Sequence, residues 1–144
     1  MTSSAFRNTE AIPREYTCEG VNKTPPIAWS KVPSGTQSFA ILVEDPDAPK
    51  KTFTHWLVTG LPPSTTEVQP GAPLPKEAAV SSNDKGTEGY TGPCPPSGRH
   101  RYIFHVYALD IPFAKQLTRS ELLTQIRGHV IAEGKVTGTY QKGK

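Results

Sequence analysis

The chain has 144 residues, 35% hydrophobic and 20% charged, which suits one folded domain (residues 1–144) better than a disordered chain. Sixteen Lys and Arg against 13 Asp and Glu leave a net charge of +3 with no basic stripe interleaved with aromatics, so no nucleic-acid partner is expected. No apolar run approaches a membrane span, the N-terminus Met1-Thr2-Ser3-Ser4-Ala5-Phe6 lacks a signal-peptide core, and a cytoplasmic location is expected.

Fifteen prolines and 12 glycines without a repeat period punctuate the chain with turns, as short strands require. In chain order, Ile27 to Trp29 is a short strand candidate. Ser38 to Glu44 alternates with period two, placing Phe39, Ile41 and Val43 on one face and Ala40, Leu42 and Glu44 on the other. Phe53 to Gly60 is a second strand, with His55 sharing a face with Phe53 and Leu57. From Leu61 to Gly98 runs a long Pro- and Gly-rich segment, the kind of loop that often carries function, with a weak strand around Glu67 to Gln69. Tyr102 to Leu109 is the strongest strand signal, and Lys135 to Tyr140 closes the series. One helix is expected. Thr118-Arg119-Ser120-Glu121 is a capping box, followed by Leu122, Leu123, Ile126 and Val130 at helical spacing, with a stop at Gly134.

Three clusters carry chemical potential. Asp45-Pro46-Asp47-Ala48-Pro49 follows directly on a strand, and continuing the alternation puts Asp45 and Asp47 on the face of Phe39, Ile41 and Val43. An Asx turn, in which each carboxylate caps nearby amides, explains the same residues. His55 lies either in a site or as a core histidine satisfied by one hydrogen bond. In Gly92-Pro93-Cys94-Pro95-Pro96-Ser97-Gly98-Arg99-His100-Arg101-Tyr102 a shaped loop runs into the strongest strand, and His100 and Tyr102 share parity with Phe104, Val106 and Ala108.

Competing chemistries have weaker support. His100 and His105 fall on opposite faces, His129 lies on the expected helix, and no close-spaced ligand motif announces a zinc site. Ser97 lacks the nucleophile elbow. Cys94 with His100 and Asp45 could imitate a thiol triad, although a cysteine between two prolines is poorly placed to move. Asp45 and Asp47 are close for a glycosidase pair. A Cys18–Cys94 bridge is possible, but two reduced thiols suit a cytosolic chain better.

Together, Asp45-Pro46-Asp47-Ala48-Pro49, His55-Trp56 and Gly98-Arg99-His100-Arg101-Tyr102 resemble, in order and separation, the signature motifs of the phosphatidylethanolamine-binding proteins. The opening Ile12-Pro13-Arg14-Glu15-Tyr16-Thr17-Cys18-Glu19-Gly20, the segment Pro25-Pro26-Ile27-Ala28-Trp29-Ser30 and the Gly92–Pro96 loop are similar to the bacterial and archaeal, Raf-kinase-inhibitor-like branch. The resemblance implies an all-β fold of two antiparallel sheets in a Greek-key sandwich with one or two short peripheral helices. It implies a pocket for phosphate-like anions or phospholipid headgroups built from Asp45, Asp47, His55, His100 and Tyr102, with Gly92 and Pro93 on its loop wall and a cis Ala48–Pro49 bond. A non-enzymatic, homodimeric regulatory protein without a cofactor or metal follows, or alternatively a protease or kinase inhibitor acting through its loops; a hydrolase is the third reading. Within the implied pocket the two carboxylates would orient and charge the imidazoles, and the Gly92 loop would offer backbone N–H groups to the anion.

Overall fold

The computed structural model describes residues 1–142, and its order of elements follows the hydrophobic patterning closely. A 3-10 turn (Arg14–Tyr16) precedes strands β1 (Ile27–Ala28), β2 (Ser38–Asp45), β3 (Phe53–Leu61), β4 (Glu67–Val68), β5 (Ala79–Val80) and β6 (Arg99–Leu109). Helix α1 (Arg119–Gln125) and the long strand β7 (Val130–Gln141) complete the chain. Five strands form one antiparallel sheet in the order β5-β3-β2-β6-β7, and β1 pairs with β4 in a second, two-stranded sheet. Within the larger sheet the run β6-β2-β3-β5 brings the fourth strand back beside the first, which is Greek-key order.

The alternation in β2 sorts side chains as the sequence predicts. Phe39, Ile41 and Val43 face the main core with Tyr102, Phe104, Val106 and Ala108 of β6. Phe6, Ile12, Ile27, Trp29 and Val68 close this core from the N-terminal segment and the small sheet. Ala40 and Leu42 face the opposite way, into a second core with Leu57, Tyr107, Leu109, Phe113, Leu122 and Ile126. Both faces of β2 are therefore buried, which makes it the central strand of the domain. Gly138 in β7 lets the N-terminal segment approach, since a Cβ there would collide with the Ile12 side chain.

Two expectations change here. Helix α1 begins with the expected capping box, Glu121 N–H donating to Thr118 Oγ1 at 3.2 Å and Thr118 N–H to Glu121 Oε1 at 2.9 Å. It ends at Gln125 and does not run on to Gly134, because Gly128 takes a left-handed φ of 84° that turns the chain into β7. Val130 thus starts a strand, and His129 sits in the turn with Nδ1 2.9 Å from Asp110 Oδ1. The second change is the Ala48–Pro49 bond, which is trans like every peptide bond among the described residues. Trans is the lower-energy isomer by about 0.5–1 kcal/mol for X–Pro, and the preceding turn is already closed by Asp47 N–H donating to Asp45 Oδ1 at 2.8 Å.

Candidate functional site

The antiparallel pairing puts the end of β2, the start of β3 and the start of β6 at one edge of the sheet. Asp45, Phe53, His55, His100 and Tyr102 consequently meet there, around a cavity of about 290 Å³. Cys18, Ala48, Pro49, Lys85, Thr91, Gly92, Cys94, Pro95 and Pro96 complete its wall.

A bulge makes His55 a pocket residue. Val43 pairs with Trp56 and Glu44 with Thr54, so β3 carries one extra residue, His55, at that point. Strict alternation would put His55 on the side of Leu57, which lies in the opposite core. The bulge parts it from Leu57 and leaves it beside Phe53 (ring centroids 4.7 Å apart), as the alternation predicts, and against Tyr102 (5.2 Å, edge to face).

Each imidazole is pinned at Nδ1. That of His55 lies 2.6 Å from the Thr91 carbonyl oxygen; a carbonyl only accepts, so the proton sits on Nδ1 and neutral His55 exposes a bare lone pair at Nε2. Burial pushes the His55 imidazole below its ordinary pKa, against the Thr91 hydrogen bond and the nearby Asp45 and Asp84 charges, which pull it up. His100 Nδ1 donates to Asp45 Oδ2 at 2.6 Å, while Asp45 Oδ1 takes the Asp47 amide. Asp45 is thus both an Asx-turn cap and an imidazole holder. Tyr102, 1% exposed, adds a hydroxyl with no hydrogen-bond partner among the described residues. Burial first, then the Asp45 and Asp47 charges, push its phenol pKa upward, so it is a neutral donor. Lys85 is the cation on the rim.

Other expected pocket residues act elsewhere. Asp47 does not line the cavity: its carboxylate takes Arg101 N–H and Nε at 2.9 Å and Nη2 at 2.8 Å. The Arg101 hydrogen bonds hold the Asp47 carboxyl down at about 2, so Asp47 fastens the turn to β6. Pro93 is absent from the lining; its carbonyl accepts from Cys18 N–H at 3.1 Å. Gly92 does line the cavity, but its N–H donates to Asn22 Oδ1 at 2.8 Å and is unavailable for a nest.

Cys18 and Cys94 are joined in a disulfide with Cα atoms 5.5 Å apart, contrary to the expectation of reduced thiols. The fold brings the 16–22 and 90–96 segments together through Tyr90 Oη donating to Tyr16 O and through the Cys18–Pro93 and Gly92–Asn22 bonds. The two cysteines are thereby placed within bonding reach despite a sequence separation of 76. The bridge also removes Cys94 as a thiol nucleophile.

Sequence reasoning missed Phe53, Thr91, Lys85 and the disulfide as parts of the wall. Thr91 contributes through a carbonyl, which no side-chain pattern reveals. As expected, His105 lies on the far face, Nε2 2.5 Å from Glu44 Oε2, with Arg119 Nε 2.6 Å from Glu44 Oε1. Burial works to raise the Glu44 carboxyl, but these two hydrogen bonds outweigh it and hold it below its ordinary value. No group of three or more His, Cys, Asp or Glu among the described residues is arranged to hold a metal ion. No described helix is long and apolar enough to cross a membrane.

Comparison with known proteins finds relatives along nearly the whole chain. Residues 2–141 match the family model described as phosphatidylethanolamine-binding protein. A UPF0098 protein of Methanothermobacter thermautotrophicus is 41% identical, with 99% of each chain covered. The crystal structure of a phosphatidylethanolamine-binding protein homologue from Chlamydia trachomatis superposes with a TM-score of 0.92 at 38% identity, covering 99% of this chain and 96% of its own. That of Escherichia coli YbcL, described as a new member of the mammalian family, gives 0.89 at 33% identity, covering 99% and 97%. With the motifs in order, the sandwich in place and the match running nearly end to end, the chain belongs to the phosphatidylethanolamine-binding protein family.

Proposed function

We propose that this cavity binds a small phosphate-type anion and that the protein is a non-enzymatic binding module. One observation carries the reading. The orphaned, buried Tyr102 hydroxyl is a donor in the same cavity as Lys85, beside two imidazoles held in place at Nδ1. A buried polar group without a partner costs about 1–3 kcal/mol, and a bound oxyanion satisfies it. The walls from Phe53, Pro49, Pro95 and Pro96 exclude water and strengthen each polar contact. Lys85 offsets the Asp45 carboxylate, whose oxygens are already occupied by His100 and Asp47.

The non-enzymatic reading rests on the absence of an activated nucleophile in the wall, since both cavity sulfurs are in the bridge. Outside hyperthermophiles such a bridge persists in oxidising compartments, so the proposal departs here from the cytoplasmic expectation. The test is calorimetric titration of inorganic phosphate into the wild type and His100→Ala. Binding by the wild type that weakens at least tenfold in the variant supports the proposal; equal affinities, or none in the wild type, overturn it.

A further inference from the structure

We infer that the pocket selects the singly protonated monoanion of a small phosphate monoester and discriminates against phosphodiesters, with His55 as the specificity-determining residue. The inference rests on the anion-binding reading above and deepens it. His55 Nδ1–H is committed to the Thr91 carbonyl at 2.6 Å, so Nε2 can only accept. An acceptor facing an anionic oxygen repels it; an acceptor facing a P–OH group takes a hydrogen bond. The monoanion of a monoester has one such hydroxyl and two charge-bearing oxygens. The latter pair with donors: the unpartnered Tyr102 hydroxyl and Lys85. A diester carries the same single charge but no hydroxyl, and leaves the His55 lone pair against oxygen.

Protonating His55 is the alternative escape, and its surroundings oppose it. The ring is 5% exposed, packed against Phe53 and Tyr102, and burial lowers its pKa. The charged and titratable groups that face it are Asp45 on β2, Asp84 and Lys85 before the Thr91 loop, and His100 and Tyr102 on β6. The two carboxylates favour a proton on His55. They are themselves engaged, Asp45 by His100 and the Asp47 amide, Asp84 by Thr54 N–H at 2.8 Å. The proton therefore has to arrive on the ligand.

Methyl phosphate and dimethyl phosphate, titrated calorimetrically into the wild type from pH 5 to 8, test this. The ratio of their affinities cancels the titration of protein groups that both ligands share. We expect methyl phosphate to bind about tenfold tighter at pH 5–6, the worth of one unmatched buried acceptor. The ratio then falls about tenfold per pH unit above the second pKa of the ester, near 6. In His55→Gln, whose amide can donate as well as accept, the ratio flattens. A wild-type ratio near one at every pH, with both ligands bound, overturns the selection and leaves the anion site standing. Binding of neither ligand at millimolar concentration overturns both.

Discussion

Replacing Cys18 and Cys94 by serine together removes the tie between the two segments that wall the pocket. The bridge encloses a segment of 76 residue steps, which holds β1 to β5. In the chain-entropy account a loop of that length restricts the unfolded chain by about 4–5 kcal/mol at 25 °C. Unfolding entropy scales at about 2.1 cal/mol/K per residue, or about 0.3 kcal/mol/K for a chain of this length. The double variant should therefore melt about 15 °C below the oxidised wild type. Its native structure should persist, because the Cys18–Pro93, Gly92–Asn22 and Tyr90–Tyr16 hydrogen bonds still join the two segments. Differential scanning calorimetry, with circular dichroism before the transition, reads both. The wild type with excess dithiothreitol should fall to the variant's melting temperature. A shift under about 3 °C with an unchanged unfolding enthalpy would refute the assignment of the bridge as a constraint on the unfolded chain.

Tyr102→Phe separates binding from folding, because its hydroxyl has no partner among the described residues. Stability in urea should stay the same or rise by up to about 1 kcal/mol, while phosphate affinity drops about five- to tenfold. A parallel loss of stability would show that the hydroxyl serves the fold. The Asp47 carboxyl has a folded pKa of about 2 against an ordinary 3.8. Its contribution is thus complete above about pH 4 and lost as pH falls through about 2. With an exposed Arg101 partner that solvent screens, Asp47→Asn should lose little at pH 7 and progressively less as pH falls below about 2. Carboxyl-carbon NMR of Asp47 checks the titration directly. Gly92→Ala places a Cβ into the Tyr16 carbonyl and the Asn22 side chain, so it should displace the loop and cost at least about 2 kcal/mol, read by chemical denaturation.

Much of this molecule was legible because strand pairing obeys a simple parity. The β2 alternation grouped Phe39, Ile41 and Val43, the β6 parity grouped Tyr102, Phe104, Val106 and Ala108, and the two sets meet in the main core. The same parity separated His100 from His105. At His55 it held for Phe53 but not for Leu57, since a one-residue bulge reverses the face between them and leaves no mark in composition. It also failed at Asp47, where the Asx turn ends the strand and hands the carboxylate to Arg101. The apolar stripe after Thr118 overran because Val130 fits a helix or a strand equally well, and the left-handed Gly128 decided it. The disulfide and the Thr91 carbonyl depend on long-range closure of the 16–22 and 90–96 segments, which no local pattern encodes.

The most direct measurement is nitrogen-15 NMR of the four histidine side chains during a phosphate titration at pH 6. We predict that the Nε2 signals of His55 and His100 move and saturate together, their Nδ1 signals stay bonded to Thr91 and Asp45, and His105 and His129 remain unchanged. Saturable binding that leaves the His55 and His100 nitrogens unmoved would contradict the account.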